Sequence, residues 1–347
     1  MKAMILGDSG KEHALASALA GDPSVEKIFV LPGNFAMALD AKVQLLSVEA
    51  YDARNIIHQA EDLKVDLVIL GHTASMAVGL GDVLRAANLI VLGPSQAAAQ
   101  LGRDALFTAR FLQEQGILDL TMPGMRQDNC FTVTALCDAS AFKIVGIAGD
   151  YQFVRWRDRE AFLAYGRDDF SDAPNAKVLE ELIQGKILRG LRQKGIIFNG
   201  LLSLKLQAWQ GQWGVRQVQA WPQARELHLA FARHPEVAWG QYFAAAATNL
   251  LGPLPDFTTS PQVAAHLAMV VDQSLLAMLY QQNAALKHEQ IYLSFSGHKP
   301  VAGEKTAAGR MLDLVAVAAS AEEAEQKLHK IFNQLYLENA AAISPMA

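Results

Sequence analysis

A chain of 347 residues, 51% hydrophobic and 19% charged, carries enough apolar material for two or three cored units and too little polar excess for intrinsic disorder. Its 30 basic and 35 acidic residues leave a net charge of −5 without a long basic run, which excludes a general attraction to nucleic acid or to an anionic membrane. The 2 cysteines, Cys130 and Cys137, are too few for a disulfide framework or a four-ligand zinc site and read as small buried hydrophobes in a reducing, cytoplasmic setting.

The first hundred residues alternate strand and helix. Lys2 to Leu6 is a short apolar run ending at Gly7, with no signal-peptide layout ahead of it. A helix follows from Gly10 to Ala20, then a strand from Lys27 to Val30 ending near Pro32, Gly33 and Asn34. Tyr51 to Glu61 reads as a helix, Asp66 to Leu70 as a third strand closing at Gly71, Met76 to Ala87 as a helix, and Leu89 to Leu92 as a strand stopped by Gly93 and Pro94. Strands without polar alternation are covered on both faces, so the pattern predicts a parallel, doubly wound α/β domain.

Ala97 to Gln115 is predicted helical, and the pattern then loosens. Two short strands are placed between Ala141 and Trp156, around Gly146 and Gly149. Arg157 to Phe170 is charged and reads as mostly helical, Ser171 to Asn175 as a linker, and Lys177 to Lys194 as an amphipathic helix. Ile196 to Trp209 and Trp213 to Trp221 form a predicted hairpin with Gly211 in its turn. Ser260 before Pro261 signals a helix start, and that helix is drawn to about Ala285. Strands at Gln290 to Phe295 and Met311 to Ala318 precede a final helix, for which Ser320 and Glu323 make a capping box. The apolar stretches Ala244 to Ala247 and Val263 to Met278 are too short or too interrupted to reach the ~18 residues of a membrane span.

The turn after the first strand, Gly7-Asp8-Ser9-Gly10-Lys11-Glu12-His13-Ala14, places glycines and a helix N-terminus where an anion such as phosphate is stabilised, although two glycines equally serve a tight structural turn. The same stretch resembles the Gly-x-Gly-Gly-Arg-Glu-His-Ala opening of phosphoribosylamine–glycine ligase. Pro32-Gly33-Asn34 is similar to that family's Pro-Gly-Asn turn, Asp66 to Gly71 to its third strand, and Gly93-Pro94-Ser95-Gln96-Ala97-Ala98 to its Gly-Pro-Thr-x-Ala-Ala segment. The resemblance runs in family order over residues 1 to about 117. It implies ligand-binding roles for Gly7, Gly10, Lys11, Glu12, His13, Gly33, Asn34, Gly71, Gly93 and Pro94. Departures begin within this domain: Ser9 replaces a glycine, Lys11 an arginine, and Gly71-His72-Thr73 lacks the acid of a Gly-Pro-Glu segment.

Beyond it the resemblance implies an ATP-grasp region whose chemical groups are missing. Two phosphate-holding lysines align with Ala105 and Ala109. Lys143 stands at the first lysine of the phosphate-covering hairpin, but the second falls near Asp150, where an acid repels phosphate. The family's central stretch, with its adenine-contacting strand, has no sequence counterpart. Phe198-Asn199-Gly200-Leu201-Leu202 resembles the strand ahead of a Glu-x-Asn magnesium site, whose ligands align with Gln219 and Trp221. Magnesium requires hard oxygen ligands, so neither position replaces them well. Gly309-Arg310-Met311 is weakly similar to a C-terminal Gly-Gly-Arg-Val strand.

His13 either contacts a ligand or packs at the helix start, and His72 stands at a strand end where α/β proteins hold ligands. His58, His228, His234, His266, His288, His298 and His329 show no ligand spacing and read as surface or satisfied core residues. Trp209, Trp213 and Trp221 read as a packing cluster. The expected architecture is α/β. A doubly wound pre-ATP-grasp domain spans 1–117, a reduced ATP-grasp-like α+β region 118–255, and a small C-terminal α/β domain 256–347. The expected function is that of a catalytically degenerate ligase-like protein of purine biosynthesis. It binds a phosphorylated ribose or nucleotide without cofactor or metal, or pairs with an active homologue or with itself. The alternative is an active ligase with a rearranged site using ATP and magnesium.

Overall fold

The computed structural model describes residues 1–121, 129–150, 152–156, 159–166, 172–252, 262–271, 279, 282–296 and 310–340. Five N-terminal strands, β1 (Lys2–Gly7), β2 (Lys27–Pro32), β3 (Val43–Leu45), β4 (Leu67–Leu70) and β5 (Val91–Leu92), form a parallel sheet in the order β3-β2-β1-β4-β5. Helices α1 (Gly10–Gly21), α2 (Ala53–Asp62), α3 (Thr73–Ala77) and α4 (Leu80–Ala86) connect them. The chain leaves β1 toward β2 and β3 on one side and returns to β4 and β5 on the other. The carboxyl ends of β1, β2 and β4 therefore flank the switch point where such sheets hold ligands.

The three-residue β3 shows no periodicity, and the sequence reading passes over it. The single helix expected from Met76 to Ala87 is two, separated by Gly79 at φ 82°, which stops α3 and starts α4. The expected helix from Ala97 to Gln115 is likewise broken. Gly102 has φ +78°, and a Cβ there would lie 1.9 Å from the Val218 carbonyl oxygen. Only the later part is α-helix, α5 (Ala105–Glu114), capped by the Asp104 side chain, which accepts from the Phe107 amide at 2.9 Å.

One ten-stranded sheet holds the remaining strands: β6 (Leu118–Asp119), β7 (Cys130–Cys137), β8 (Phe142–Gly149), β9 (Gln152–Trp156), β10 (Arg159–Gly166), β11 (Gly200–Trp209), β12 (Gln212–Gln219), β13 (Val263–Val271), β14 (Ile291–Ser296) and β15 (Arg310–Ala318). Their order is β14-β15-β13-β10-β8-β7-β11-β12-β6, with β9 paired to β10. Two expected helices are strands here. Within Arg157 to Phe170, Arg159–Gly166 pairs with both β9 and β13; its charged start suggested a helix, while Leu163 and Ala164 are buried on opposite faces and hide the strand alternation. Within the helix drawn from Pro261, Val263–Val271 lies between β10 and β15, and Ala264, Ala265, His266 and Leu267 are all buried, so pairing overrides the helical preference of alanine. Ser260 and Pro261 themselves lie outside the described residues.

Other expectations hold. A helix runs from Ala176 to Gln193, π-helical over Glu181–Leu188 (α6). The β11–β12 hairpin turns at Gln210 and Gly211, both at positive φ, which suits a two-residue hairpin. The last helix, α10 in a series after α7 (Ala224–Ala232), α8 (Trp239–Ala247) and α9 (Asn283–His288), spans Ala321–Ala340. Ser320 Oγ accepts from the Glu323 amide at 3.2 Å, and the Glu323 carboxylate accepts from the Ala319 amide at 3.3 Å. Helices α7 and α8 bring the two sheets into one core: Leu227, Phe231, Trp239 and Phe243 pack in the same cluster as the β1, β2 and β4 residues. Asp22, fully buried, ties the end of α1 to the start of α8 by accepting from the Gly240 amide at 2.8 Å.

Candidate functional site

Glu12 organises the switch point. Gly7 ends β1 at φ +134°, and a Cβ there would meet the Glu12 side chain at 2.6 Å; a Cβ on Gly71, at the end of β4, would meet Glu12 Oε1 at 2.3 Å. The two glycines form a slot that only their missing side chains leave open. Within it the buried Glu12 carboxylate accepts from the Ser9 amide at 2.8 Å and from the Ser9 hydroxyl, and Ser9 Oγ accepts weakly from the Lys11 amide at 3.4 Å. A capping box thus satisfies the start of α1 from within. The Gly33 amide donates to the Gly7 carbonyl at 3.2 Å, and Asn34 Nδ2 donates to the Asp8 carbonyl at 2.8 Å. Asn34 Oδ1 in turn accepts from the amides of Ala36 and Met37.

Gly7, Gly10, Lys11, Glu12, Gly33, Asn34 and Gly71 therefore stand together. Gly93 and Pro94 follow β5, at the edge of the same sheet, and Gly93 is engaged in another direction. The Gly93 amide donates to the Asn199 carbonyl at 2.7 Å, and its carbonyl accepts from Arg85. A Cβ on Gly200 would lie 3.4 Å from the Gly93 Cα, so this turn docks the parallel sheet onto β11. His72 is held by its neighbours. Ser75 Oγ donates to the Ala50 carbonyl at 2.6 Å, so it accepts from His72 Nδ1 at 2.8 Å, leaving Nε2 to accept from the Tyr51 hydroxyl at 3.3 Å.

The positions aligned with ATP and magnesium groups have other surroundings. Ala105 is exposed on α5 and Ala109 half-buried. Gln219 Oε1 accepts from Gln223 Nε2 at 3.1 Å. Trp221 is 3% exposed, and its ring edge lies 3.2 Å from where a Cβ on Gly200 would be, so the indole is part of the core. A cleft of about 330 Å³ opens beside it, and among the described residues Arg103 is its one lining cation and no carboxylate lines it. Asp150 pairs with Lys205 at 2.7 Å, so the acid at the second hairpin-lysine position is neutralised within the sheet. These groups do not fit magnesium, which needs carboxylate or carbonyl oxygens around it. Among the described residues, no group of three or more His, Cys, Asp or Glu has a metal-holding arrangement.

A second polar assembly, unforeseen from sequence, lies where α1 meets α7 and the ten-stranded sheet. His13 on α1, His228 on α7, His266 on β13, Ser294 on β14 and Asp313 on β15 are all buried. His266 Nε2 lies 2.9 Å from Asp313 Oδ1, and the His228 and His266 rings stack with centroids 6.3 Å apart. His228 bonds the Gly10 backbone and, through Nε2, the Ser294 hydroxyl. Burial first, then neighbouring positive charge, lowers His13 from 6.5 to about 3. Burial also lowers His228 to about 4, against the pull of Asp313. Burial alone would raise the Asp313 carboxyl, but its hydrogen bond with His266 and the surrounding histidines hold it below the ordinary value. The signals in sequence were small: one histidine between Leu227 and Leu229, and one aspartate inside the apolar β15. The three tryptophans of the hairpin also separate: Trp213 packs on Phe131, Trp221 enters the core, and Trp209 is 38% exposed.

Comparison with known proteins places these features. The profile of the phosphoribosylglycinamide synthetase N domain matches residues 1–102. Phosphoribosylamine–glycine ligases of Pasteurella multocida and Vibrio cholerae are each 40% identical over 117 residues, 34% of this chain and 27% of theirs. The match therefore spans about a quarter of the length of these curated relatives. The structure of phosphoribosylamine–glycine ligase from Thermotoga maritima superposes over 96% of both chains with a TM-score of 0.69 at 16% identity. The biotin carboxylase domain of a thermophilic 2-oxoglutarate carboxylase covers 94% of this chain with a TM-score of 0.59 at 8% identity. Residues 1–102 thus match the N domain of phosphoribosylglycinamide synthetases. The rest keeps an ATP-grasp-like fold even where the sequence carries no counterpart of the central stretch.

Proposed function

We propose that this protein is a ligase-like member of purine biosynthesis that binds a phosphorylated ribose compound and does not carry out ATP-dependent ligation. The observation that supports this reading is Trp221. Where the family resemblance places a magnesium ligand, an indole is buried against Gly200, and its neighbour Gln219 is spent on Gln223. With neither carboxylates for magnesium at Gln219 and Trp221 nor lysines at Ala105 and Ala109, the groups that would clamp a γ-phosphate at these positions are missing, and on this reading the acyl phosphate on which such ligation depends is not formed. The ligand site we propose is the switch point, where Gly10, Lys11 and Asn34 gather at the carboxyl ends of β1 and β2 beside the N-terminus of α1.

Two titrations test the reading. Calorimetry with magnesium and ATP at millimolar concentration is expected to give no heat of binding, and a micromolar Kd would establish an active ligase instead. Ligand-observed NMR with ribose 5-phosphate and glycinamide ribonucleotide is expected to show binding that Gly10→Asp abolishes, because the new carboxylate occupies the anion position. Equal signals from the two proteins, or none from either, would remove the switch point as the site.

A further inference from the structure

Away from the switch point, α1, α7 and β14 enclose a cavity of about 220 Å³. Ala14 and Ala18 of α1 form one wall; Phe231, Trp239 and Tyr292 face it with aromatic surface. His228 also lines it, but its two ring nitrogens are engaged by the Gly10 backbone and by Ser294, so it presents a ring rather than a donor. Among the described residues the ionic lining is Lys287 and Asp40, with Nζ and Oδ2 3.6 Å apart. That separation is longer than the roughly 2.8 Å of a charge-assisted hydrogen bond. The two charges are not equally spent: Asp40 Oδ1 already accepts from the Lys42 amide at 3.0 Å, while Lys287 carries three donors on a flexible stem and is 45% exposed.

Size and lining select the occupant. An apolar protein cavity of about 150 Å³ admits benzene. The space here is larger by about one short polar arm, and among the described lining residues the less engaged charge is the Lys287 ammonium. We propose that this cavity binds a monocyclic aromatic carboxylate, with the ring among Phe231, Trp239 and Tyr292 and the carboxylate on Lys287. Such a ligand bridges the N-terminal domain, through α1, to the ten-stranded sheet, through β14, and stiffens their junction. The assignment does not depend on what the switch point binds.

Trp239 reports on it directly. The chain has 5 tryptophans, so 5-fluorotryptophan labelling gives a 19F spectrum with few lines, in which Trp239→Phe identifies one. Phenylacetate is expected to shift the Trp239 line saturably while leaving the other four in place, with toluene weaker and benzylamine weaker still. Lys287→Met, a change at a partly exposed side chain, is expected to weaken phenylacetate about tenfold, the loss of one ion pair in a half-buried setting, and to leave toluene unchanged. Ala18→Leu fills the cavity and is expected to abolish both, the four remaining lines reporting that the fold is kept. The proposal fails if phenylacetate gives no saturable shift, if Lys287→Met leaves its affinity unchanged, or if benzylamine binds more tightly than phenylacetate.

Discussion

Acid should loosen this protein through two buried rings. His13 and His228 have their pKa values lowered from 6.5 to about 3 and about 4, burial being the first cause in each, with Lys287, His266 and Asp313 the charged or titratable groups facing them. A depressed histidine pKa means that the folded state refuses a proton the unfolded chain accepts. Stability is therefore complete above 6.5 and declines as pH falls from 6.5 toward 4, and toward 3 for His13. At about pH 5 both rings remain neutral when folded, while the unfolded chain protonates them; at about 1.36 kcal/mol per pH unit, each costs about 2 kcal/mol, about 4 together. That is a large part of a typical folding free energy of roughly 5–15 kcal/mol. Asp313, held below its ordinary value, contributes stability that is present above 3.8 and lost only below it, so it is silent in this window. Urea denaturation at about pH 7.5 and pH 5 measures the loss. His228→Gln keeps a hydrogen-bonding side chain without a titrating ring, and its loss should be smaller by about 2 kcal/mol. A wild-type loss below about 1 kcal/mol, or an unchanged pH dependence in both His228→Gln and His13→Gln, would refute the reasoning.

Three further outcomes follow from single contacts. Asp22→Ala strands the amides of Gly240 and Ser24, each 2.8 Å from the lost carboxylate, and should lower stability by about 3 kcal/mol in the same assay. Gly102→Ala combines a positive φ with a Cβ 1.9 Å from the Val218 carbonyl, and should cost at least about 4 kcal/mol or prevent folding, whereas Gly116→Ala, with open space around it, should cost only its strain, about 1 kcal/mol. Burial pushes the Cys137 and Cys130 thiols up, so neither should react with a disulfide reagent at neutral pH until the chain unfolds; rapid native-state labelling would contradict that.

The parallel domain was legible because three of its strands are short apolar runs closed by a glycine, Gly7, Gly71 and Gly93 after β1, β4 and β5, while β3, with Gln44 in its middle and no glycine after it, was missed. The ten-stranded sheet was legible only in part: the β11–β12 hairpin, β14 and β15 showed as strands, whereas β10 and β13 lie between partners that sequence does not identify. Val263–Val271 is rich in alanine and carries a histidine, and becomes a strand by pairing with β15 over nine residues. The candidate site divides in the same way. Local motifs placed Gly7 to Glu12 and Gly33-Asn34 together, since each follows a strand of one sheet. The histidine cluster joins residues separated by hundreds of positions and has no local pattern.

The slot around Glu12 separates two reasons for which a motif residue can persist. Gly7 and Gly71 are required by packing alone: any side chain at either position would collide with Glu12, and Glu12 caps α1 through Ser9. Asn34 is similarly occupied in holding its own turn to Asp8 and Ala36. A chain that had given up the chemistry would keep these residues in order to fold. The lysines and carboxylates of an ATP site have no such duty. Ala105 sits exposed on α5, where a lysine would touch nothing the fold needs, and Trp221 contributes more to the core than an asparagine would. Likeness over residues 1–102 is therefore what packing alone would preserve, whether or not a ligand is bound there. For the same reason the match of Gly7, Glu12 and Gly71 to the family is weak support for a bound ligand, and Lys11, whose ammonium makes no hydrogen bond or ion pair among the described residues, is the more telling residue to replace in the ribose-phosphate titration.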